Sequence, residues 1–328
     1  MLSILRCLIT PYLTFCFVIC LVVTLLPWWP ASDKVLVAKY LLLFAPRWWL
    51  LLLVLGTVIF WRFLSKFQWL ILFILVLFSL NYLDFQLPKL GDNENSSKKL
   101  TVITANIGGG GSKEVIQLLM LTEDPDILLL QEAMRIDIVQ LVGDKHYSEC
   151  ISGLCIVSKY PFTNITTLDR KAFQGWGKFA ALYQVKTANG LIAVANIHLE
   201  TPRAILMGLR YGVIDTLLAQ EIENNRELEV SLITRWRKDL KFSKGQNFII
   251  AGDFNMPEDD SLYQQNFSDL NNAVAELALG FNYTKFTSWH GVRIDHILYS
   301  DGISIQDVAV LKSFKGDHRP VKATLLLE

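Results

Sequence analysis

Five stretches of this sequence lead into polar residues of the kinds that hold metals and move protons. Ile127-Leu128-Leu129-Leu130 runs into Gln131 and Glu132, and Ile192-Ala193-Val194-Ala195 into Asn196, Ile197 and His198. Phe248-Ile249-Ile250 runs into Ala251-Gly252-Asp253-Phe254-Asn255. Nearer the carboxyl end come Arg293-Ile294-Asp295-His296 and Gly316-Asp317-His318. A strand whose own side chains are buried delivers the residue at its end to a sheet edge. Five such ends in one domain would gather carboxylates, amides and imidazoles on one rim. Any one of them alone is an ordinary turn residue, because turns favour Asp, Asn and Gly for backbone reasons. Lone histidines such as His146 and His290 fit surface or packing roles. Asp253-Phe254-Asn255 carries more weight: Gly252 lets the backbone bend tightly, and the two polar side chains fall on one face at period two.

The elements that position these residues alternate between strand and helix. Thr101–Asn106, Ile127–Leu130, Leu154–Ser158, Phe179–Lys186, Leu191–Ile197, Phe248–Ala251, Arg293–Tyr299 and Val321–Leu327 read as strands, Ile127–Leu130 being buried on both faces. Ser112–Thr122 has helical spacing (Val115, Ile116, Leu119) behind a Ser112 cap, and Ile205–Leu240 is mostly helix. The Gly108–Gly111 run after Asn106 reads as a loop overhanging the site.

Composition divides the chain. A mean hydropathy of +0.34 and a hydrophobic fraction of 52% are high for a soluble enzyme, and the excess lies in residues 1–84. A bilayer core needs roughly 20 apolar helical residues. Cys7–Trp29, Pro46–Trp61 and Phe67–Leu83 are the candidate spans, the middle one short. Ala31–Phe44 reads as a helix in the interface, with Lys34 and Lys39 snorkelling and Trp28 and Trp29 as anchors. The first span is too long for a signal peptide, and further spans follow it. Arg6, Arg62 and Lys66 flank it and the later spans so as to place an internal amino terminus, which puts the domain on the extracytoplasmic side of a multi-pass protein; Lys34, Lys39 and Arg47 argue the other way. Residues 85–99 read as a polar tether and 100–328 as the catalytic domain. Cys150 and Cys155 flank a Ser152-Gly153 turn and either pair or pack as small apolar residues.

Of 31 basic and 31 acidic residues, six and two fall in residues 1–84, leaving 25 and 29 and a net of −4 for the rest. That balance lacks the basic footprint of a tight, non-specific DNA binder.

The ordered blocks Asn106, Gln131-Glu132, Asn196-Ile197-His198, Gly252-Asp253-Phe254-Asn255, Asp295-His296 and Asp317-His318 resemble the endonuclease/exonuclease/phosphatase (DNase I-like) superfamily, over essentially all of Leu100–Glu328. The resemblance implies an α/β fold: a four-layer sandwich of two packed mixed sheets with outer helices, here preceded by an N-terminal helical transmembrane module. It implies metal binding by Glu132 with Asn106 beside it and Asp317 as a further carboxylate, with Mg²⁺, or Mn²⁺ in its place, as the ion. Asp253 would position or deprotonate the attacking water and Asn255 would hold a phosphate oxygen. His318, oriented by Asp295, would contact the scissile phosphate, and His198 would stabilise the phosphate or the leaving oxygen. Some members of the superfamily carry a Tyr at the His198 block, so the chain looks more like the His-bearing branches. Gly316 stands where Ser is commoner.

The implied activity is a membrane-anchored, divalent-metal-dependent phosphodiesterase. Its partners would be the lipid bilayer and a phosphodiester substrate, a nucleic acid or a phospholipid headgroup. Arg203, just beyond His198, is a candidate substrate contact. The alternative class is a catalytically inactive, membrane-anchored binding or scaffold module, whose mark would be loss of Glu132, Asp253 or His318; all three are present. A transport role for the apolar segments lacks the central acidic residue or paired charges that a substrate path would show.

Overall fold

The computed structural model describes residues 2–89, 98–108, 112–240, 246–287, 289–312 and 316–327, without the side chains of residues 2–8 and 34. Four helices come first: α1 (Leu2–Thr24), α2 (Asp33–Phe44), α3 (Trp49–Val58) and α4 (Lys66–Tyr82). The strands are β1 (Lys99–Asn106), β2 (Ile127–Gln131), β3 (Tyr147–Ile151), β4 (Leu154–Ser158), β5 (Phe162–Asp169), β6 (Lys178–Thr187) and β7 (Gly190–His198). They continue with β8 (Phe248–Asp253), β9 (Asn271–Asn272), β10 (Lys285–Phe286), β11 (Gly291–Val292), β12 (Asp295–Tyr299), β13 (Ile303–Val310) and β14 (Val321–Leu327). Between them lie α5 (Lys113–Glu123), α6 (Ile138–Val142), α7 (Arg203–Arg210), α8 (Thr216–Lys238), α9 (Ser261–Asn266) and α10 (Ala273–Leu277).

Two six-stranded sheets follow, ordered β13-β14-β1-β2-β4-β3 and β5-β6-β7-β8-β12-β9. Each is mixed, with a single parallel pair, β1–β2 in the first and β7–β8 in the second. Period-two alternation sends Ile127 and Leu129 into the core between the sheets, where they share a cluster with Val194, Ile249 and Ile297. Leu128 and Leu130 point the other way, onto Ile116 and Leu119 of α5. The opposite outer layer sets Val230 and Ile233 of α8 against Phe248 and Ile250. These are the expected packed sheets with helices outside.

The strands with apolar runs stand where expected. Those without one, β3, β5 and β13, are sheet edges. Their partly exposed faces need no continuous apolar run, and both β5 and β13 carry register shifts. Ser112 precedes α5 as expected, but its hydroxyl makes no capping bond. The long helical stretch breaks at Gly212 (φ 76°), which separates α7 from α8.

The apolar module corrects several expectations. Among the described residues no single helix is long and apolar enough to cross a bilayer; Ile9–Thr24 and α4 are shorter apolar helices, and α2 with α3 reaches the length only as a pair bent by 71°. α1, α3 and α4 share one cluster, with Leu13, Cys16, Leu50, Val54, Leu72 and Leu75 inside it. Lys39 does not snorkel. It is fully buried, its Nζ 2.8 Å from Glu223 Oε1 and 3.1 Å from Asp260 Oδ1, because α2 lies against α8 outside the second sheet. The Lys34 side chain lies outside the described residues. Arg47 forms a two-pronged pair with Asp259 at 2.8 and 3.0 Å, and Arg293 another with Asp84 at 2.7 and 2.8 Å. The start of the expected tether is docked as well, since Gln86 bonds backbone to backbone with Gly280, and Lys89 with Glu276. Residues 90–97 lie outside the described residues.

Candidate active site

Strand register assembles the site. Parallel pairing of β7 with β8 sets His198 beside Asp253, and antiparallel pairing of β12 with β8 sets Asp295 on the other side of Asp253. In the facing sheet, Asn106 and Gln131 are partners at the ends of β1 and β2. Glu132 follows Gln131 in a left-handed conformation (φ 57°), which turns its carboxylate away from the strand direction. The site is therefore a seam between the ends of two sheets.

Hydrogen bonds cross that seam. Asn106 Nδ2 donates to Glu132 Oε1 at 3.1 Å and to Asp253 Oδ2 at 2.9 Å, and its own oxygen accepts from Gly108 N at 2.8 Å. Deeper, Gln131 Nε2 donates to Asn196 Oδ1 at 2.7 Å, and Asn196 Nδ2 donates to the carbonyls of Leu130 and Cys155. Gln131 and Asn196 are both fully buried. Buried amides need all these partners, so the pair fixes how the two sheets meet.

Asp253 is the centre. It is 1% exposed; its Oδ1 accepts from the Asn255 backbone N–H at 2.9 Å, and its Oδ2 lies 3.7 Å from Nε2 of both His198 and His318. His198 Nε2 is also 3.7 Å from Glu132 Oε1. On its other ring nitrogen His318 is held by Asp295, 2.9 and 3.1 Å from the two carboxylate oxygens. Burial alone would lower the His318 imidazole, but Asp295 and then Asp253 outweigh it and raise it to about 9. The ring is a cation at neutral pH.

Two glycines fit this crowding. Gly252 does not make the expected tight bend. It lies in β8 at φ 150°, where a Cβ would stand 1.9 Å from the Ile197 carbonyl oxygen. A Cβ on Gly108 would stand 2.0 Å from Glu132 Oε2. The rest of the four-glycine run, residues 109–111, lies outside the described residues.

The other expected residues divide. Asn255 (φ 49°, 6% exposed) turns Nδ2 to the Leu199 carbonyl at 2.8 Å, so one of its amide hydrogens braces the end of β7. Asp317, expected as a ligand or outer carboxylate of the metal site, has its carboxylate ion-paired with Lys285. Burial opposes ionisation of Asp317, yet Lys285 prevails and holds the carboxyl below its usual range. Arg203 is exposed at the first residue of α7. His296 is buried, bonded to Asn272 and to the Met256 carbonyl; burial depresses it to about 3, so it is a neutral packing residue.

Some positioning groups escaped the sequence reading. Arg170 donates to the His198 carbonyl at 2.8 Å and to Glu229 at 2.5 Å, and Glu229 also accepts from Glu200 N. Burial pushes the Glu229 carboxyl up to about 7. Thr284 Oγ1 accepts from the backbone N–H groups of Ile294 and Asp295, which sets the start of β12. Nothing in the local sequence singled these residues out, since each sits among other polar or charged residues.

Asp253, Asp295 and His318 each offer a donor atom, all within 4.8 Å. Within that trio His318 Nδ1 is already bonded to Asp295, so the two form a hydrogen-bonded dyad beside the Asp253 carboxylate. Glu132 is the open oxygen donor, its side chain 34% exposed, and Asp253 is the carboxylate bridged to it through Asn106. Hard oxygen donors around exposed space fit a divalent cation such as Mg²⁺ or Mn²⁺. Asn106, whose nitrogen faces both carboxylates, braces that pair in this arrangement. Cys150 and Cys155 are disulfide-bonded across β3 and β4.

The profile described as "Endonuclease/Exonuclease/phosphatase family" matches residues 103–318. No curated protein matches the chain by sequence. Among solved structures, D. rerio TDP2 complexed with single-strand DNA product is 14% identical with a TM-score of 0.52, covering 69% of this chain and 98% of its own. A 3'-5' exonuclease from Neisseria meningitidis is 17% identical (TM-score 0.51, 68% and 98% covered). A mannosyl-6-phosphatase from Bacteroides thetaiotaomicron is 17% identical (TM-score 0.51, 70% and 100% covered). These likenesses carry the fold. With its profile running from the middle of β1 to the site histidine His318, the chain belongs to the endonuclease/exonuclease/phosphatase family, metal-dependent hydrolases of phosphate esters.

Proposed function

We propose that this chain is a membrane-anchored, divalent-metal-dependent phosphodiesterase with its catalytic domain on the extracytoplasmic side. The observation that carries the chemistry is the position of Asp253 Oδ2, 3.7 Å from two imidazole nitrogens and bridged through Asn106 to Glu132. A phosphodiester presents negative oxygens to a nucleophile, so its hydrolysis needs a positioned water and cationic groups around the phosphate. Asp253 accepts the proton of the attacking water as its oxygen bonds to phosphorus. His318, kept cationic by Asp295, donates to a phosphoryl oxygen. His198 stands on the other side of Asp253 and protonates the leaving alkoxide as the P–O ester bond breaks. Bound at Glu132, a divalent ion would supply charge neutralisation of the phosphate.

The belt of exposed apolar residues on the N-terminal helices supports anchoring, Ile59 (76%), Phe67 (69%) and Phe73 (61%) among them. The Cys150–Cys155 disulfide supports an oxidising compartment. The test is hydrolysis of bis-p-nitrophenyl phosphate by the full chain in detergent, with Mg²⁺ or Mn²⁺ and with EDTA. The full chain is required because Lys39 and Arg47 complete ion pairs inside the domain. Turnover that EDTA abolishes and added metal restores is the expected result; a folded, metal-supplemented chain with no turnover sinks the reading and favours a binding module.

A further inference from the structure

A cleft of about 460 Å³ lies where the apolar helices meet the β10–β11 hairpin. Its walls include Trp48, Leu51, Phe281, Phe286 and Trp289, with Arg47 and His290 beside them. Three observations bear on what it holds.

First, part of the cleft wall belongs to β10, the strand that bonds to the catalytic histidine loop. Phe286 N donates to the Asp317 carbonyl, and Lys285 is bridged to His318. Tyr283 connects the same wall to the end of α4, through its hydroxyl on the Leu83 carbonyl at 2.7 Å. Second, an exposed apolar stripe runs along α3 from Trp48 at the cleft. Trp48, Leu52, Leu55 and Ile59 recur at spacings of four, three and four residues, which sets them on one helix face. They are 40%, 58%, 55% and 76% exposed. One apolar stripe thus leads from the cleft mouth to the far end of the helix. Third, a cation stacks on one wall of the cleft. Arg319, next to His318, lies 3.9 Å over the Phe286 ring, its Nε is buried without a hydrogen-bond partner, and no carboxylate pairs with it among the described residues.

We propose that this cleft holds a membrane phospholipid, with an acyl chain along the Trp48–Ile59 stripe and the anionic headgroup at Arg319, so that the substrate class is a phospholipid phosphodiester. The proposal rests on the phosphodiesterase reading above and names its substrate. An aromatic-walled cleft continuous with an apolar helix face suits a lipid chain, and its volume lies in the range of small-molecule sites. The guanidinium suits a phosphate by geometry and charge. A nucleic acid would leave the α3 stripe uncovered and would find a domain of net −4 charge.

The test places the full chain in nanodiscs of phosphatidylcholine and phosphatidylglycerol that contain a phosphatidylglycerol with a diazirine on its acyl chain. Photolabel on the peptides carrying Trp48–Leu51 and Phe281–Trp289 is expected; label confined to α1 and α4 overturns the proposal. In parallel, Trp289→Ser and Arg319→Gln are assayed on these lipids and on bis-p-nitrophenyl phosphate. The ratio of lipid to soluble turnover should fall about tenfold for each, the scale of one lost apolar or charged contact. An equal fall on both substrates, or an unchanged ratio, contradicts the lipid cleft. Absence of soluble turnover by the unaltered chain would sink the phosphodiesterase reading instead, and the labelling pattern would still report on the cleft.

Discussion

His318 Nδ1 lies 2.9 Å from Asp295 Oδ2, the larger of two carboxylate influences on the charge of the ring that faces Asp253. Asp295, with Asp253, raises the imidazole from 6.5 to about 9 against the opposing effect of burial. A raised histidine contributes stability that is complete below 6.5 and is lost as pH rises through about 9. Activity that needs the cation should show an alkaline limb in the same range. Asp295→Asn removes the carboxylate charge, so that limb should move to lower pH and kcat should fall. A pH–rate series on both forms checks this, and an unmoved limb would assign it to another group.

Glu132 and Asp317 separate the metal set from its neighbourhood. Glu132→Gln should weaken Mg²⁺ activation and lower kcat/KM by about 10²-fold or more, the scale of losing a charge-stabilising group at a phosphoryl centre. Asp317→Asn should cost about tenfold or less, because Lys285 already neutralises that carboxylate and its loss removes a partly exposed ion pair. Metal titrations of both variants distinguish the two residues; equal loss of metal affinity would restore Asp317 to the ligand set.

Gly108→Ala puts a methyl group where Glu132 Oε2 now stands. The carboxylate must move, so the concentration of Mg²⁺ giving half-maximal activity should rise while Tm changes by a few degrees at most. Thermal melts beside the metal titration check both parts.

The helical module enters the energetics of the domain. Burial opposes ionisation of Asp260, but Arg226 and Lys39 outweigh it and keep its carboxyl well below the usual range. Lys39→Met leaves Glu223 and Asp260 sharing Arg226 alone, with one buried charge uncompensated. Removing one partner of such a cluster costs about 3–5 kcal/mol. Chemical denaturation of the full chain should show that loss, and adding Glu223→Gln should recover part of it. A Lys39→Met chain as stable as the original would mean that α2 is not seated on α8.

Much of this molecule was legible because the site residues follow apolar strands. β2, β7 and β8 are runs of Ile, Leu, Val, Ala and Phe, and the family order of Glu132, His198, Asp253 and His318 marks the chemistry. What stayed hidden depends on distant pairing. Lys39 looked like a snorkelling lysine because its partner Glu223 is 184 residues away. The Lys285 partner of Asp317 lies 32 residues away, so nothing near Asp317 in sequence announced that ion pair. Arg170 lies in a polar loop, and only tertiary packing brings its guanidinium to the His198 carbonyl. The edge strands lacked the apolar pattern because one side of each is open to solvent.

The central claim is that Asp253 activates the water. The most direct measurement is the rate of bis-p-nitrophenyl phosphate hydrolysis by full-length Asp253→Asn at saturating Mg²⁺, beside its melting temperature. Asn is nearly isosteric but cannot take the proton, so kcat should drop by about 10²–10⁴-fold, the range expected for general-base catalysis, with the fold intact. A folded Asp253→Asn chain that keeps a kcat within a few-fold of the original would contradict the account.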